Sequence, residues 1–271
     1  LTPRPPHPTM RCGSKPSDNG HLLLTPDERR HLLHHEPAAA RFLRRFLGAD
    51  ELLHQRERWC LWLADATPEA LADLPLTTAR VEAVRKFRSS SSAAPTRRAA
   101  ARPHTFFFTS QPDTDYLAVP EVSSARRDHL PVVFLPPDII ASNKLYIVPG
   151  RDLMRLGLLA SAMHMTWLRT VGGRLKSDHQ YSASMVYNTF PWPDAGRDPA
   201  VEHAAQQLLD RRAAHPQRSL AELCDPRRAP ADLLAEHAEL DRAVDRLYRP
   251  ARFTDEHERL AHLLARHAAT R

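Results

Sequence analysis

RLKSDHQYS occupies residues 174–182, between two apolar segments, LMRLGLLASAMHMTWLRTV (153–171) and ASMVYNTFPWP (183–193). In the first segment Leu153, Leu156, Ala160, Met163 and Trp167 fall at steps of three and four. That spacing predicts a helix over 152–170 with one buried face. Gly172-Gly173 closes it, as glycine commonly does at a helix C-terminus. A polar strip launched from such a helix end is either a solvated turn or a set of side chains held at fixed positions. In an extended strip residues two apart face the same way, which puts Lys176, Asp178 and Gln180 on one side.

Upstream of the helix the apolar period changes. HTFFF (104–108), DYLAVPEV (115–122), PVVFL (131–135) and NKLYIVP (143–149) are short β-like runs separated by Pro, Asp and Ser. They read as strands. RERWCLWLAD (56–65) has the length and composition of a buried strand. Thr25-Pro26-Asp27-Glu28 carries the residues of a capping box with proline at the first helical position, and Thr67-Pro68-Glu69 starts a second helix. Residues 77–102 are basic, with Val81, Val84 and Phe87 at helical spacing until the serine run 89–92 and Pro95 interrupt them. Beyond the linker PDAGRDP, ending at Pro199, the pattern is helical throughout. Leu233, His237, Leu240, Val244 and Leu247 share one face there. The expectation is an α+β fold: a disordered leader over 1–12, a mixed domain over 13–194, and a small all-helical domain over 195–271. The last of these is short for independent folding and is expected to pack on the rest.

The 271 residues carry a net charge of +6. Residues 195–271 are balanced, with 13 basic and 13 acidic side chains, so the excess lies in 1–194, where 25 face 19. A positive first part suits a polyanion such as nucleic acid. Cys12, Cys60 and Cys224 are scattered and show no metal-ligand spacing, which fits a reducing cytoplasm. No apolar run reaches the length of a membrane span.

Catalytic signatures are weak. HLLHHE (31–36) places only His31 and His35 on one helical face and has no HExxH arrangement. His164 in Met163-His164-Met165 reads as a core histidine. Pro112-Asp113 with Asp115 lacks the following acid-x-Lys of a metal-dependent nuclease. VGGR (171–174) follows a helix rather than a strand and lacks the third spaced glycine of a cofactor loop. No catalytic residue and no metal ligand is assigned.

Five blocks in order carry a family resemblance: GSKPSDNGHLLLT, RWCLWLADATPEAL, QPDTDYLAVPEVSS, ASNKLYIVP and SAMHMTWLRTVGGRLKSDHQYSASMVYNTFPWP. They resemble the C-terminal part of MmeI-like DNA methyltransferases, single-chain restriction–modification enzymes. In that family nuclease and adenine-N6 methyltransferase domains precede a target-recognition domain and a helical C-terminal domain. The family's methyl-donor glycine loop and Asn-Pro-Pro-Tyr motif do not occur here. The resemblance therefore implies a module that recognises double-stranded DNA. S-adenosylmethionine would be a cofactor of the parent enzyme and would not bind this chain. The partner would be a separate methyltransferase or nuclease half. The alternative is a protein-interaction remnant that no longer binds DNA.

The resemblance also implies that Lys176, Asp178, Gln180 and Lys144 read bases. Lysine donates to guanine O6 and N7, an aspartate accepts from cytosine N4, and glutamine can pair with adenine. Arg174, Ser177, His179, Tyr181 and Ser182 are expected to contact DNA phosphates or to support the base-reading residues, with Arg97, Arg98 and Arg102 as further phosphate contacts.

Overall fold

A computed structural model describes residues 8–269. Thr25 caps α1 (Pro26–His35): its hydroxyl accepts from the Glu28 amide at 3.2 Å, and Glu28 returns a carboxylate to the Thr25 amide at 2.8 Å. Around α1 lies a sheet built from β2 (Leu23–Leu24), β3 (Leu43–Leu47), β4 (Trp59–Leu61) and, from far along the chain, β8 (Ile139–Ala141), in the order β2-β4-β3-β8. β3 and β8 run parallel, pairing Phe46 with Ile140. α2 (Ala49–His54) follows β3, and Thr67 caps α3 (Pro68–Ala72). α4 (Pro75–Ser89) and α5 (Ala94–Ala99) are separated at the serine run, as the sequence predicts.

A second sheet has the order β1-β9-β5-β7, made of β1 (Arg11–Cys12), β5 (Tyr116–Pro120), β7 (Val133–Leu135) and β9 (Leu145–Pro149). Tyr116, Leu117, Ala118 and Val119 are all fully buried, so β5 is apolar on both faces rather than alternating. The predicted leader over 1–12 ends earlier than expected: Met10 is buried and Arg11–Cys12 pair with β9, while residues 1–7 lie outside the described residues. HTFFF forms no strand; only Phe108 bridges to Lys15, and Phe106 packs edge-on against Phe46 and Trp62. The reason is Arg88. Its fully buried guanidinium donates to the carbonyls of Pro16, Ser17, Ala99, Arg102 and Thr105, which ties this segment into turns.

The long helix expected over 152–170 is two helices, α6 (Leu153–Leu159) and α7 (Ala162–Val171). Ser161 causes the break: its hydroxyl accepts from the His164 amide and caps α7. The C-terminal helices are α8 (Pro199–Ala213), α9 (Leu220–Leu223), α10 (Ala231–Tyr248) and α11 (Glu256–Ala269). They share a core with α6, α7 and β5, in which Leu156, Leu159, Trp167, Val201, Leu208, Leu233, Leu240 and Leu263 are buried together. Gly157 sits where α6 meets α8 and α10. A Cβ there would lie 2.8 Å from Val201 Cγ1 and 3.2 Å from Leu240 Cδ1. No described helix is long and apolar enough to cross a membrane.

Candidate DNA interface

The polar strip is a β-hairpin. β10 (Gly173–Leu175) and β11 (Asp178–Gln180) pair antiparallel, and β6 (Val122–Ser123) joins β11 from the other side. Lys176 and Ser177 form the two-residue turn, with Lys176 at φ +56°. This corrects the extended reading of the strip. Lys176 stands in the turn and Asp178 opens the returning strand, so the two do not alternate along one extended strand. A left-handed conformation is unfavourable for a residue with a side chain, and two-residue turns normally place Gly or Asn there.

Register decides which side chains share a face. Directly opposed residues on antiparallel strands point the same way. Leu175 opposes Asp178 and Gly173 opposes Gln180, so these form the outer face; Arg174 opposes His179 on the other face, where His179 is buried and the longer Arg174 side chain stays exposed. Only Asp178 and Gln180 thus keep the expected two-residue alternation. Asp178 Oδ1 accepts from the Ala125 amide at 3.2 Å, which orients the carboxylate and leaves Oδ2 without a hydrogen bond among the described residues.

Glu121, which the sequence reading did not single out, links the remaining outer residues. Its Oε2 accepts from Lys144 Nζ at 3.0 Å and its Oε1 from Gln180 Nε2 at 3.3 Å. Lys144 comes from the β8–β9 connection and Glu121 from the break between β5 and β6. Lys144 is 63% exposed, so the pair is a surface one that adds little stability; its effect is to fix geometry. The only sequence signal for Glu121 was its position after Pro120, where the period of DYLAVPEV breaks. Tyr146 lies close by: burial first and then the Glu121 carboxylate push its phenol above the ordinary range.

Behind the outer face Tyr181 and His179 are buried, which leaves them the supporting role and not the phosphate contact among the two roles expected of them. Tyr181 is 2% exposed, and its hydroxyl is 3.0 Å from His164 Nε2. His179 is 3% exposed and lies 3.5 Å from the Arg174 guanidinium. Neither can reach a phosphate. The strip alternates as a paired strand does, so every second residue of β11 turns toward the core. Burial holds His164 near a pKa of about 3, and burial followed by the Arg174 charge lowers that of His179. Ser182 caps the short π-helix Ala183–Tyr187 and bonds Ser184, and so supports the turn that follows β11. Arg174 and Ser177 remain exposed.

The loop behind the hairpin is clamped from the helical side. Arg169 of α7 reaches Asp128 at 3.1 Å, the Arg127 carbonyl at 3.0 Å and Glu256 of α11 at 2.8 Å. Asp241 of α10 pairs with His129 at 2.9 Å and accepts from the Ala162 amide at 2.7 Å. Buried Arg127 donates to Ser123 Oγ at 3.0 Å. The basic stretch stands apart from this assembly. Arg97 Nη1 is engaged by the Ser91 and Ser92 carbonyls, while the Arg98 and Arg102 side chains are exposed and make no ion pair among the described residues. No hydrogen bond joins residues 97–102 to the hairpin sheet among the described residues.

A braced hairpin that presents ordered polar side chains to solvent, backed by a helical domain, defines a recognition module. The chain belongs to the MmeI family: residues 2–194 match its target recognition domain and residues 193–270 its C-terminal domain. It is similar to DNA methyltransferase A of Bacillus subtilis (strain 168), with 36% identity over 95% of this chain and 29% of that protein. It is also similar to the solved structure of the Type IIL restriction-modification enzyme MmeI in complex with DNA, with a TM-score of 0.95, 42% identity, and coverage of 99% of this chain and 36% of that one. The chain thus spans about a third of the length of the relatives it matches.

Proposed function

We propose that this chain recognises a specific sequence in double-stranded DNA for an adenine-N6 methyltransferase of the restriction–modification type. One observation carries the reading. Glu121 bonds both Lys144 and Gln180, Asp178 shares the Gln180 face of the hairpin next to the exposed Lys176 turn, and His179 and Tyr181 behind that face are buried. Lysine at a left-handed turn position supports it. That conformation costs on the order of 1 kcal/mol for a residue with a side chain, which is tolerable where the side chain has a task.

In this reading Lys176 donates to guanine O6 or N7, and Asp178 Oδ2 accepts from the N4 amino group of the paired cytosine. Gln180 is the candidate for an adenine edge. Glu121 holds Gln180 and Lys144 in place before DNA arrives, so that less side-chain entropy is lost on binding. Arg174, Ser177, Arg98 and Arg102 contact phosphates and set register without reading sequence.

Gly172 does not fit a methyl-donor loop. A Cβ on Gly172 would lie 2.5 Å from the Leu168 carbonyl, so this glycine serves close packing of helix against hairpin and lines no ligand cradle. Methyl-donor binding and methyl transfer are assigned to a methyltransferase part outside these residues. The test is selection of duplexes from a random library with the full chain. Enrichment of one short motif, with affinity falling steeply between about 50 and 200 mM salt, is expected. Recovery of no motif would overturn the proposal.

A further inference from the structure

Leu175 is the one large apolar side chain on the hairpin, and it is 52% exposed. It belongs to none of the buried clusters of the protein. Its place in the register gives it a neighbour. Leu175 is directly opposite Asp178, so the two side chains leave the same face with Cβ atoms about 4.5–5.5 Å apart. The Ala125 amide fixes the Asp178 carboxylate. The tip therefore holds an apolar group and an anionic acceptor side by side at a set spacing. The next rung, Gly173 opposite Gln180, leaves open the space beside the glutamine.

That pairing has a counterpart on a pyrimidine. On the major-groove edge of cytosine the N4 amino group stands on the ring carbon adjacent to C5. A methyl on C5 is recognised by apolar contact, as the thymine methyl is. A carboxylate that accepts from N4 therefore brings its apolar neighbour toward C5 of the same ring.

We infer that Leu175 reads the C5 position of the cytosine whose N4 faces Asp178, so that the module senses cytosine C5-methylation within its target. The inference rests on the DNA-reading role proposed above. Burying one methyl group is worth about fourfold in affinity.

The test uses the full chain and the motif recovered by selection. Dissociation constants are measured on duplexes carrying 5-methylcytosine in place of cytosine, one position at a time, for the wild type, Leu175→Ala and Leu175→Met. At one cytosine, methylation should tighten wild-type binding about fourfold. Leu175→Ala should lose that gain, and Leu175→Met should keep it. The exposed position makes both variants compatible with folding. Two results overturn the inference: no position at which C5-methylation tightens wild-type binding, or an equal gain in Leu175→Ala. Failure of the DNA-reading role looks different, because no motif is recovered at all and both proposals then fall.

Discussion

His164 joins the helix that launches the hairpin to the residue that follows it, and its burial makes the joint sensitive to acid. The ring is fully buried, 3.0 Å from the Tyr181 hydroxyl and edge-on to Phe190 at 4.5 Å between ring centres. Burial lowers its pKa from 6.5 to about 3. The unfolded chain takes up a proton below pH 6.5, whereas the folded protein refuses it until about pH 3. Stability from this group is therefore intact above pH 6.5 and falls as the pH drops through the interval between the two values. The slope is up to about 1.4 kcal/mol per pH unit, or about 2.7 kcal/mol at pH 4.5. The assay is urea unfolding of the wild type and His164→Phe at pH 7.5, 6.0 and 4.5. The variant loses the Tyr181 bond at every pH, so the measured quantity is the difference in pH dependence. His237, also held neutral by burial, is present in both proteins and cancels. The wild type should lose about 2.7 kcal/mol more than the variant on going to pH 4.5. Parallel pH profiles would refute the reasoning.

Three further outcomes follow from the packing and the charge. Arg88→Met leaves five backbone carbonyls without their donor and should lower stability by about 3–5 kcal/mol, seen as a shifted urea midpoint. Gly157→Ala forces a Cβ to 2.8 Å from Val201 Cγ1 and should cost about 1–3 kcal/mol by thermal unfolding, with Val201→Ala restoring part of the loss. Arg98→Ala with Arg102→Ala should weaken binding to all duplexes alike and reduce the salt slope by about one to two, as fluorescence anisotropy would show.

The helix caps at Thr25 and Thr67, the interruption of the basic helix, and the shared faces of the C-terminal helices were legible because each depends on residues within one or two turns. The hairpin was not legible, because Lys176 is a poor turn residue and nothing nearby announces a left-handed conformation. Its inward residues were hidden for the same reason: His179 and Tyr181 look like polar surface until pairing with β6 turns them toward the core. The break at Ser161 yielded to the apolar spacing on either side, which runs on in phase. Glu121 and Arg169 matter through partners 23 to 87 residues away, and no local pattern encodes such contacts. The family resemblance supplied the outer residues Lys144, Asp178 and Gln180, and the structure supplied the carboxylate that joins two of them.

In the proposed role Lys176 and Asp178 read one G·C pair. The direct measurement is duplex selection with the wild type and with a double variant, Lys176→Asp with Asp178→Lys, that exchanges donor and acceptor. The motif should be unchanged except at one position, where the G·C preference is lost or inverted, at a cost of about 1–3 kcal/mol for the original base pair. An identical motif from both proteins would contradict it.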